Sequence, residues 1–277
     1  ATRTDKVPNT SPTAASSGTD LNGMAALDAC EKIKQRLVEF AAETYGVSAD
    51  SVRFENNQVN VGEQQFGWAE FVQQAYMARV SLSSNGFYST PKIHYDRETG
   101  QGRPFRYYAN GAACAEVVVD TLTGEYKTMR VDILHDVGQS LNPAVDIGQI
   151  EGGFVQGMGW LTTEELVYSD EGRLLSNGPA TYKIPAVSDA PPDFRVALLP
   201  HSPNREATVF RSKAVGEPPL MLGMAVWSAL RDAVSSVADY RYSPPLDTPA
   251  TPERVLQAVT ATERWVAAQG EPSCKNA

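Results

Sequence analysis

Cysteine is nearly missing from this chain: Cys30, Cys114 and Cys274 are the whole set in 277 residues. An odd, unclustered trio argues against a disulfide scaffold or a cysteine-held cluster and fits a reducing compartment, so the expected location is the cytoplasm. Histidine is as scarce. His94, His135 and His201 lie far apart, no pair has ligand spacing, and side-chain coordination of a metal is not expected. No apolar run nears the roughly 20 residues that span a bilayer, and the first residues lack a charged-then-apolar leader pattern. Positive charge is also short. Lys and Arg total 24 against 33 Asp and Glu, a net charge of -9 with no basic patch, which argues against nucleic acid and anionic membranes as partners. Two catalytic signatures are missing as well: the glycines around Gly148–Gly159 do not follow a strand and tight turn as a dinucleotide fingerprint must, and no G-x-S-x-G elbow supports a serine hydrolase.

What is present is a globular composition, 42% hydrophobic, long enough for one large or two modest domains. The opening, ATRTDKVPNTSPTAASSGTDLNG, is rich in Ser, Thr, Pro and Gly and reads as an interior loop, so a fragment or processed subunit is expected. From Asp20 or Asn22, Met24, Leu27, Cys30, Ile33, Leu37 and Phe40 recur at helical spacing, with Gly46 as the stop. VRFENNQVNVG predicts a hairpin around Asn56-Asn57, GWAEFVQQAYMARV a helix, and Ser81 to Tyr107 a long polar loop. ACAEVVVDTLTGEYKTMRVDILHDVG predicts a second hairpin, EELVYSDEGRLLS a third, and FRVALL a strand. TPERVLQAV predicts a helix with Thr251 as N-cap and Pro252 as its first residue. Strands and helices mix without a βαβ rhythm, which predicts an α+β class of mixed sheets with packed helices.

Three stretches could carry chemistry. TAASSG, Thr13 to Gly18, offers small residues and hydroxyls in a loop suited to a phosphate or polar heterocycle, and equally suited to capping the helix that follows. Pro143 to Leu166 begins with Pro and holds Gly148, Gly152, Gly153, Gly157 and Gly159. A helix there must press its backbone against a neighbour, with Gly152 and Gly157 expected at the contact. SKAVGEPPL, Ser212 to Leu220, wedges Glu217 between Gly216 and Pro218-Pro219, ahead of an apolar stripe that includes Leu220, Met221, Met224, Trp227 and Leu230. That carboxylate either decorates a helix start, where the macrodipole welcomes it, or is a base held rigidly at the mouth of a buried helix.

VPNTSPTAASSGTDLNG, FYSTPKIHYD, ACAEVVVDTLTGEY, DVGQSLNPAVDIGQIEGGFVQGMGWLTTEEL, GPATYKIPA and SKAVGEPPL, in this order, resemble the C-terminal part of the molybdopterin-binding region of the xanthine dehydrogenases. The resemblance runs from about Thr4 to about Val237, and its GEPP piece is shared with the wider molybdenum hydroxylase family, including aldehyde oxidases. It implies that residues 1–19 are a cofactor loop, 20–237 an α+β body, and 238–277 a C-terminal helix and tail. It implies Glu217 as the general base that takes a proton from a metal-bound hydroxyl, which attacks an electron-poor ring carbon while hydride passes to a sulfido ligand on molybdenum. Ala15, Ser16, Ser17, Gly18 and Thr19 are implied around the pterin and its phosphate, Gln149 as a further hydrogen-bond partner of the cofactor, and Ala14 facing the substrate.

The implied activity is hydroxylation of hypoxanthine and xanthine to urate with oxygen from water. Electrons would leave through 2Fe-2S clusters and FAD, on partner chains of a hetero-oligomer, to NAD. Another heterocycle or aldehyde hydroxylase, or a non-catalytic docking subunit, is the alternative. Three scattered cysteines cannot hold two four-ligand clusters. The resemblance also implies that the molybdenum-molybdopterin cofactor is shared with another chain, which supplies the substrate-gripping residues.

Overall fold

The helical spacing after Asp20 becomes α1, Met24–Tyr45, entered through a π-turn at Thr19–Gly23 and ended by Gly46 at φ 64, a left-handed position that suits glycine. This is a computed structural model that describes Ala14 and residues 16–269. The buried stripe of α1, Leu37 and Ala41, packs on Val52, Val59, Val61, Phe71 and Ala75. A Val, Leu or Phe among them contributes about 1.5–3 kcal/mol when fully buried. Strands β1 (Val52–Glu55), β2 (Gln58–Val61) and β3 (Gln64–Gly67) form an antiparallel meander. Asn56 and Asn57 both take positive φ, as a two-residue hairpin turn requires. β3 was not expected, because GEQQFG has no alternation of apolar and polar residues. α2, Trp68–Met77, follows it directly and buries Phe71 and Ala75.

The expected loop from Ser81 is ordered by α1. Lys32 donates to the Asn85 carbonyl, Arg36 donates to the Ser81 and Ser83 carbonyls, and Asp28 accepts from the Phe87 N–H at 3.0 Å. These three side chains sit four residues apart on one helix face. The same stretch contains a short hairpin the sequence did not announce, β4 (His94–Asp96) with β5 (Gln101–Arg103). Its strands are almost wholly exposed and so leave no apolar pattern.

The chain divides into two compact units. One runs up to Arg106 and takes in Ala207–Val209; the other holds Tyr107–Glu206 and the chain from Phe210 onward. The division falls inside residues 20–237, at the end of the Pro- and Gly-rich stretch.

In the second unit β6 (Gly111–Val119) and β7 (Tyr126–His135) form the expected antiparallel hairpin, and β8 (Asp193–Leu198) adds to β7 in parallel. Val131 and Ile133 of β7 point into a core with Ile150, Phe154 and Met158 of α3 (Pro143–Thr162), and with Val226, Leu230 and Val234 of α4 (Met224–Ser236). α5 (Pro252–Gln269) closes that core with Val255, Ala258 and Val259. The Arg254 N–H reaches the Thr251 Oγ1 at 3.5 Å, so Thr251 caps α5 as its sequence predicts. On the opposite sheet face Arg130 pairs with Asp132 and Arg195 with Asp193 at 2.6–2.9 Å, and Arg130 reaches Asp193 at 3.7 Å.

Mixed pairing with packed helices bears out the α+β class. Two elements are smaller than predicted. EELVYSDEGRLLS keeps a single bridge, Tyr168 to Leu174. The apolar stripe after Glu217 opens as a 3-10 segment, Pro218–Gly223, before α4 begins. Two successive prolines are tolerated at its start because first-turn N–H groups have no intrahelical acceptor.

Candidate active site

The segment that carries Glu217 is tied down residue by residue. Ser212 bridges to Gly138, whose φ of 65 and tight surroundings admit only glycine: a Cβ there would lie 2.5 Å from the Arg211 carbonyl oxygen. The Lys213 N–H donates to the Val137 carbonyl at 2.8 Å, and the Ala214 N–H to the Tyr107 hydroxyl at 2.9 Å. The Asn204 amide holds the Ser212 carbonyl at 3.1 Å. Lys213 Nζ is paired with the Asp136 carboxylate, and the two side chains are only 12% and 3% exposed. Val215 then packs against the core, and Gly216 and Glu217 emerge into solvent.

Glu217 occupies the position before the 3-10 segment but makes no side-chain cap. Its carboxylate has no hydrogen bond or ion pair among the described residues, and its carbonyl accepts from the Leu220 N–H at 3.0 Å. The side chain thus stands at the start of the segment without capping it.

The 3-10 segment is locked on its far side by α3. A Cβ on Gly153 would meet Pro219 Cβ at 3.0 Å, one on Gly157 would meet the Leu220 carbonyl oxygen at 2.0 Å, and one on Gly223 would meet Gly157 C at 2.4 Å. Backbone touches backbone here, as a glycine-rich helix predicts. The expectation for Gly152 is corrected: nothing lies within 4 Å of a Cβ placed there, nor at Gly148. Both glycines fall on the helix face turned away from the contact.

The contact also has a direction. Moving along α3 from Gly153 to Gly157 moves along the segment from Pro219 to Gly223. Gln149 stands one turn before Gly153 on the same face, exposed and without a hydrogen bond among the described residues. Glu217 stands just before Pro219. Both residues thus lie toward the same end of the α3 contact, and both are exposed.

The loop residues lie in the first unit, which is described on its own. Ala14 is exposed; Ala15 lies outside the described residues. Ser16 takes φ 52, and Ser17 turns both its N–H and its hydroxyl onto the Ala14 carbonyl, at 3.2 and 2.7 Å. The hydroxyl proton of Ser17 is therefore engaged inside the loop. Gly18 and Thr19 open the π-turn into α1, where first-turn N–H groups and the helix dipole favour an anion.

Electrostatics sharpen the Glu217 anchor. Burial alone pushes the Asp136 carboxyl up. Hydrogen bonds from Lys213, the Gly138 N–H at 2.9 Å and Ser202, with the Lys213 charge, outweigh that and hold it below the usual carboxylate range. Next door, burial lowers His135 despite the Asp136 charge beside it. Neither Asp136 nor Lys213 stood out in the sequence, although both lie inside the stretches that carry the family resemblance. Their separation of 77 residues leaves no local signal.

Among the described residues no group of His, Cys, Asp and Glu could hold a metal ion. Within the second unit, Gln149 and Glu217 instead offer an amide and a carboxylate without a side-chain partner among the described residues, chemistry that suits a polar organic group better than a bare metal ion. A family model described as the molybdopterin cofactor-binding domain matches residues 1–191. The chain is 45% identical over 282 residues to xanthine dehydrogenase/oxidase of Mus musculus, covering 99% of this chain and 20% of that protein. It is 46% identical over 260 residues to xanthine dehydrogenase of Dictyostelium discoideum, covering 92% and 18%. The chain thus spans about a fifth of the length of these curated relatives. In fold it is similar to quinoline 2-oxidoreductase from Pseudomonas putida 86, with a TM-score of 0.74, 24% identity, and coverage of 89% of this chain and 30% of that one. It is also similar to aldehyde oxidoreductase from Desulfovibrio gigas, with a TM-score of 0.67, 25% identity, and coverage of 93% and 24%.

Proposed function

We propose a function from one premise, that the chain belongs to the molybdopterin cofactor-binding domain family: it is the part of a molybdenum hydroxylase that supplies the catalytic base and one side of the cofactor pocket. The substrate class is purine, with hypoxanthine and xanthine hydroxylated to urate and water as the oxygen source. Identity near 45% to xanthine dehydrogenases supports purines over the aldehyde or quinoline named for the fold neighbours. The remainder of the molybdenum region, the 2Fe-2S clusters, FAD and NAD reduction belong to the rest of a larger protein or to partner chains. Exposed apolar side chains such as Trp160, Leu166 and Val187, the last 95% exposed, support a chain that packs against more protein. A cytoplasmic location is part of this reading, and no helix among the described residues is long and apolar enough to cross a membrane. Cys30 and Cys114 are free thiols.

When bound, the molybdenum cofactor supplies Lewis acidity and takes up two electrons. The part proposed for this chain is to hold the cofactor on one side and to take a proton. Ala15, Ser16, Ser17, Gly18 and Thr19 hold the pterin and its phosphate, Ser17 and Gly18 through backbone because the Ser17 hydroxyl is already engaged. Gln149 donates its amide to the cofactor from the open end of α3, and Ala14 borders the substrate. Glu217 accepts, at its carboxylate, the proton of the water-derived nucleophile. A base of this kind must be free of other partners and aimed by a rigid backbone. The observation that carries the reading is the Glu217 carboxylate, unpaired among the described residues, between a hydrogen-bonded segment and a backbone-locked 3-10 turn.

The deciding experiment is the reductive half-reaction of the assembled enzyme carrying Glu217→Gln, with molybdenum content measured alongside. The expected loss is ~10²- to 10⁴-fold in rate with substrate binding kept. Reduction at wild-type speed, with normal molybdenum, would return Glu217 to a bystander. Wild-type assembly without molybdenum or purine turnover would identify a docking subunit instead.

A further inference from the structure

We propose that the buried Asp136–Lys213 ion pair is a positioning device for Glu217, setting the direction of its carboxylate rather than the stability of the fold. The proposal rests on the reading of Glu217 as the base.

Three observations lead to it. Lys213 lies four residues before Glu217, and the segment between them is bonded through the N–H groups of Lys213 and Ala214. The other end of Glu217 is locked by Pro218-Pro219 and by the backbone contact of Gly157 with Leu220. The carboxylate itself is held by nothing among the described residues, so its placement is wholly delegated to these two anchors. On the side of residues 212–214, the Lys213–Asp136 pair adds a charged tie to the hydrogen bonds that Tyr107 and Asn204 make with the backbone, and both its members are nearly out of solvent.

Energetics separate direction from stability. Desolvating two charges offsets most of their attraction, and replacing a buried pair with neutral residues of similar size is often neutral for folding. What an ion pair adds over an apolar contact is a fixed geometry: Asp136 is itself oriented by the Gly138 N–H and Ser202, and so presents its second oxygen to Lys213 in one place. The two charges cancel, so the pair does not act on Glu217 through its field. It acts through where residues 213 to 217 run, and a displacement of about 1 Å at a reacting group can cost on the order of 10²-fold in rate.

The test is a double-mutant cycle in the assembled, molybdenum-loaded enzyme, using Asp136→Asn with Lys213→Met, Glu217→Gln, and all three together. The amide oxygen that Asp136→Asn introduces can still accept from the Gly138 N–H, and position 213 keeps its backbone donor. Per molybdenum, the pair variant is expected to lose ~10- to 100-fold in kcat with KM changed less than about threefold. The same pair replaced in the Glu217→Gln background is expected to cost nothing further, because a group that no longer takes a proton gains nothing from aim. Lys213→Arg, which keeps charge and donors, should recover most of the rate. Hydrogen exchange gives a readout independent of turnover: the amides at 213 and 214 should lose protection, with α3 unchanged. A wild-type kcat in the pair variant, an equal loss in both backgrounds, or unaltered exchange at 213 and 214 would each overturn the proposal. Wild-type turnover by Glu217→Gln alone would remove the base reading and this proposal with it, an outcome read from a different protein of the set.

Discussion

The two ends of the face that α3 turns to the 3-10 segment are built on opposite terms. At the covered end Gly153, Gly157 and Gly223 bring backbone against backbone, so closely that a single methyl would collide with a carbonyl. At the open end Gln149 and Glu217 present an amide and a carboxylate with no partner among the described residues. One end commits its contacts to position; the other keeps its polar groups free. The lesson is that the proposed base is positioned by atoms its carboxylate does not touch.

The comparison can be broken at the open end first. Glu217→Gln should remove ~10²- to 10⁴-fold of activity while leaving the melting temperature of the assembled enzyme unchanged, since the side chain supports no described contact. A clear fall in melting temperature would mean the carboxylate has a structural partner after all. At the covered end the effects invert. Gly157→Val should cost ~2–4 kcal/mol and lower molybdenum retention, because the atom opposite is the Leu220 carbonyl, which cannot rotate away. Denaturant unfolding at matched molybdenum content measures it, and a loss below about 0.5 kcal/mol would show the segment moving freely.

A pH effect sharpens the same contrast. His135 is 1% exposed, and its ring lies 2.9 Å from where a Cβ on Gly111 would stand, beside Leu222 of the 3-10 segment. Its folded pKa is lowered by burial from 6.5. The unfolded chain therefore takes up the proton first. The stability contributed by neutral His135 is complete above that value and falls as pH drops from 6.5 toward the folded pKa. Melting curves across this window should flatten in His135→Asn; an unchanged slope would place the titration elsewhere. The smallest effect belongs to Gly152→Ala, where open space and helical dihedrals predict a gain of about 0.5–1 kcal/mol. A destabilised Gly152→Ala would mean that the outward face of α3 is covered in the assembled enzyme.

Much of this architecture was legible because local rules were obeyed locally. Asn56-Asn57 tolerates left-handed backbone and makes its hairpin, Gly46 ends α1, and Thr251 caps α5. β3 and the β4–β5 hairpin were not legible because their residues are polar and exposed, so pairing is set by neighbours and not by a buried face. The glycines of α3 were legible as a set but not one by one. Gly152 and Gly153 are adjacent in sequence and point to different sides, which composition cannot tell. At the site, Glu217 and Gln149 stood in quoted motifs, while Asp136 and Lys213 meet across 77 residues and needed the fold to bring them together.

The parallel pairing of β8 with β7 has a consequence for the order in which the second unit assembles. The β6–β7 hairpin closes over a short turn and can zip early, but β8 meets β7 only after the chain has laid α3 across the sheet and returned. The loop-closure entropy of that return is offset only once Ile150 and Phe154 reach Val131 and Ile133. Refolding of this unit should therefore wait on helix docking: truncating Phe154 is expected to slow the folding limb, while truncating Phe194 of β8 chiefly speeds unfolding. The helix whose open end serves the proposed chemistry would then also be the gatekeeper of the sheet's completion.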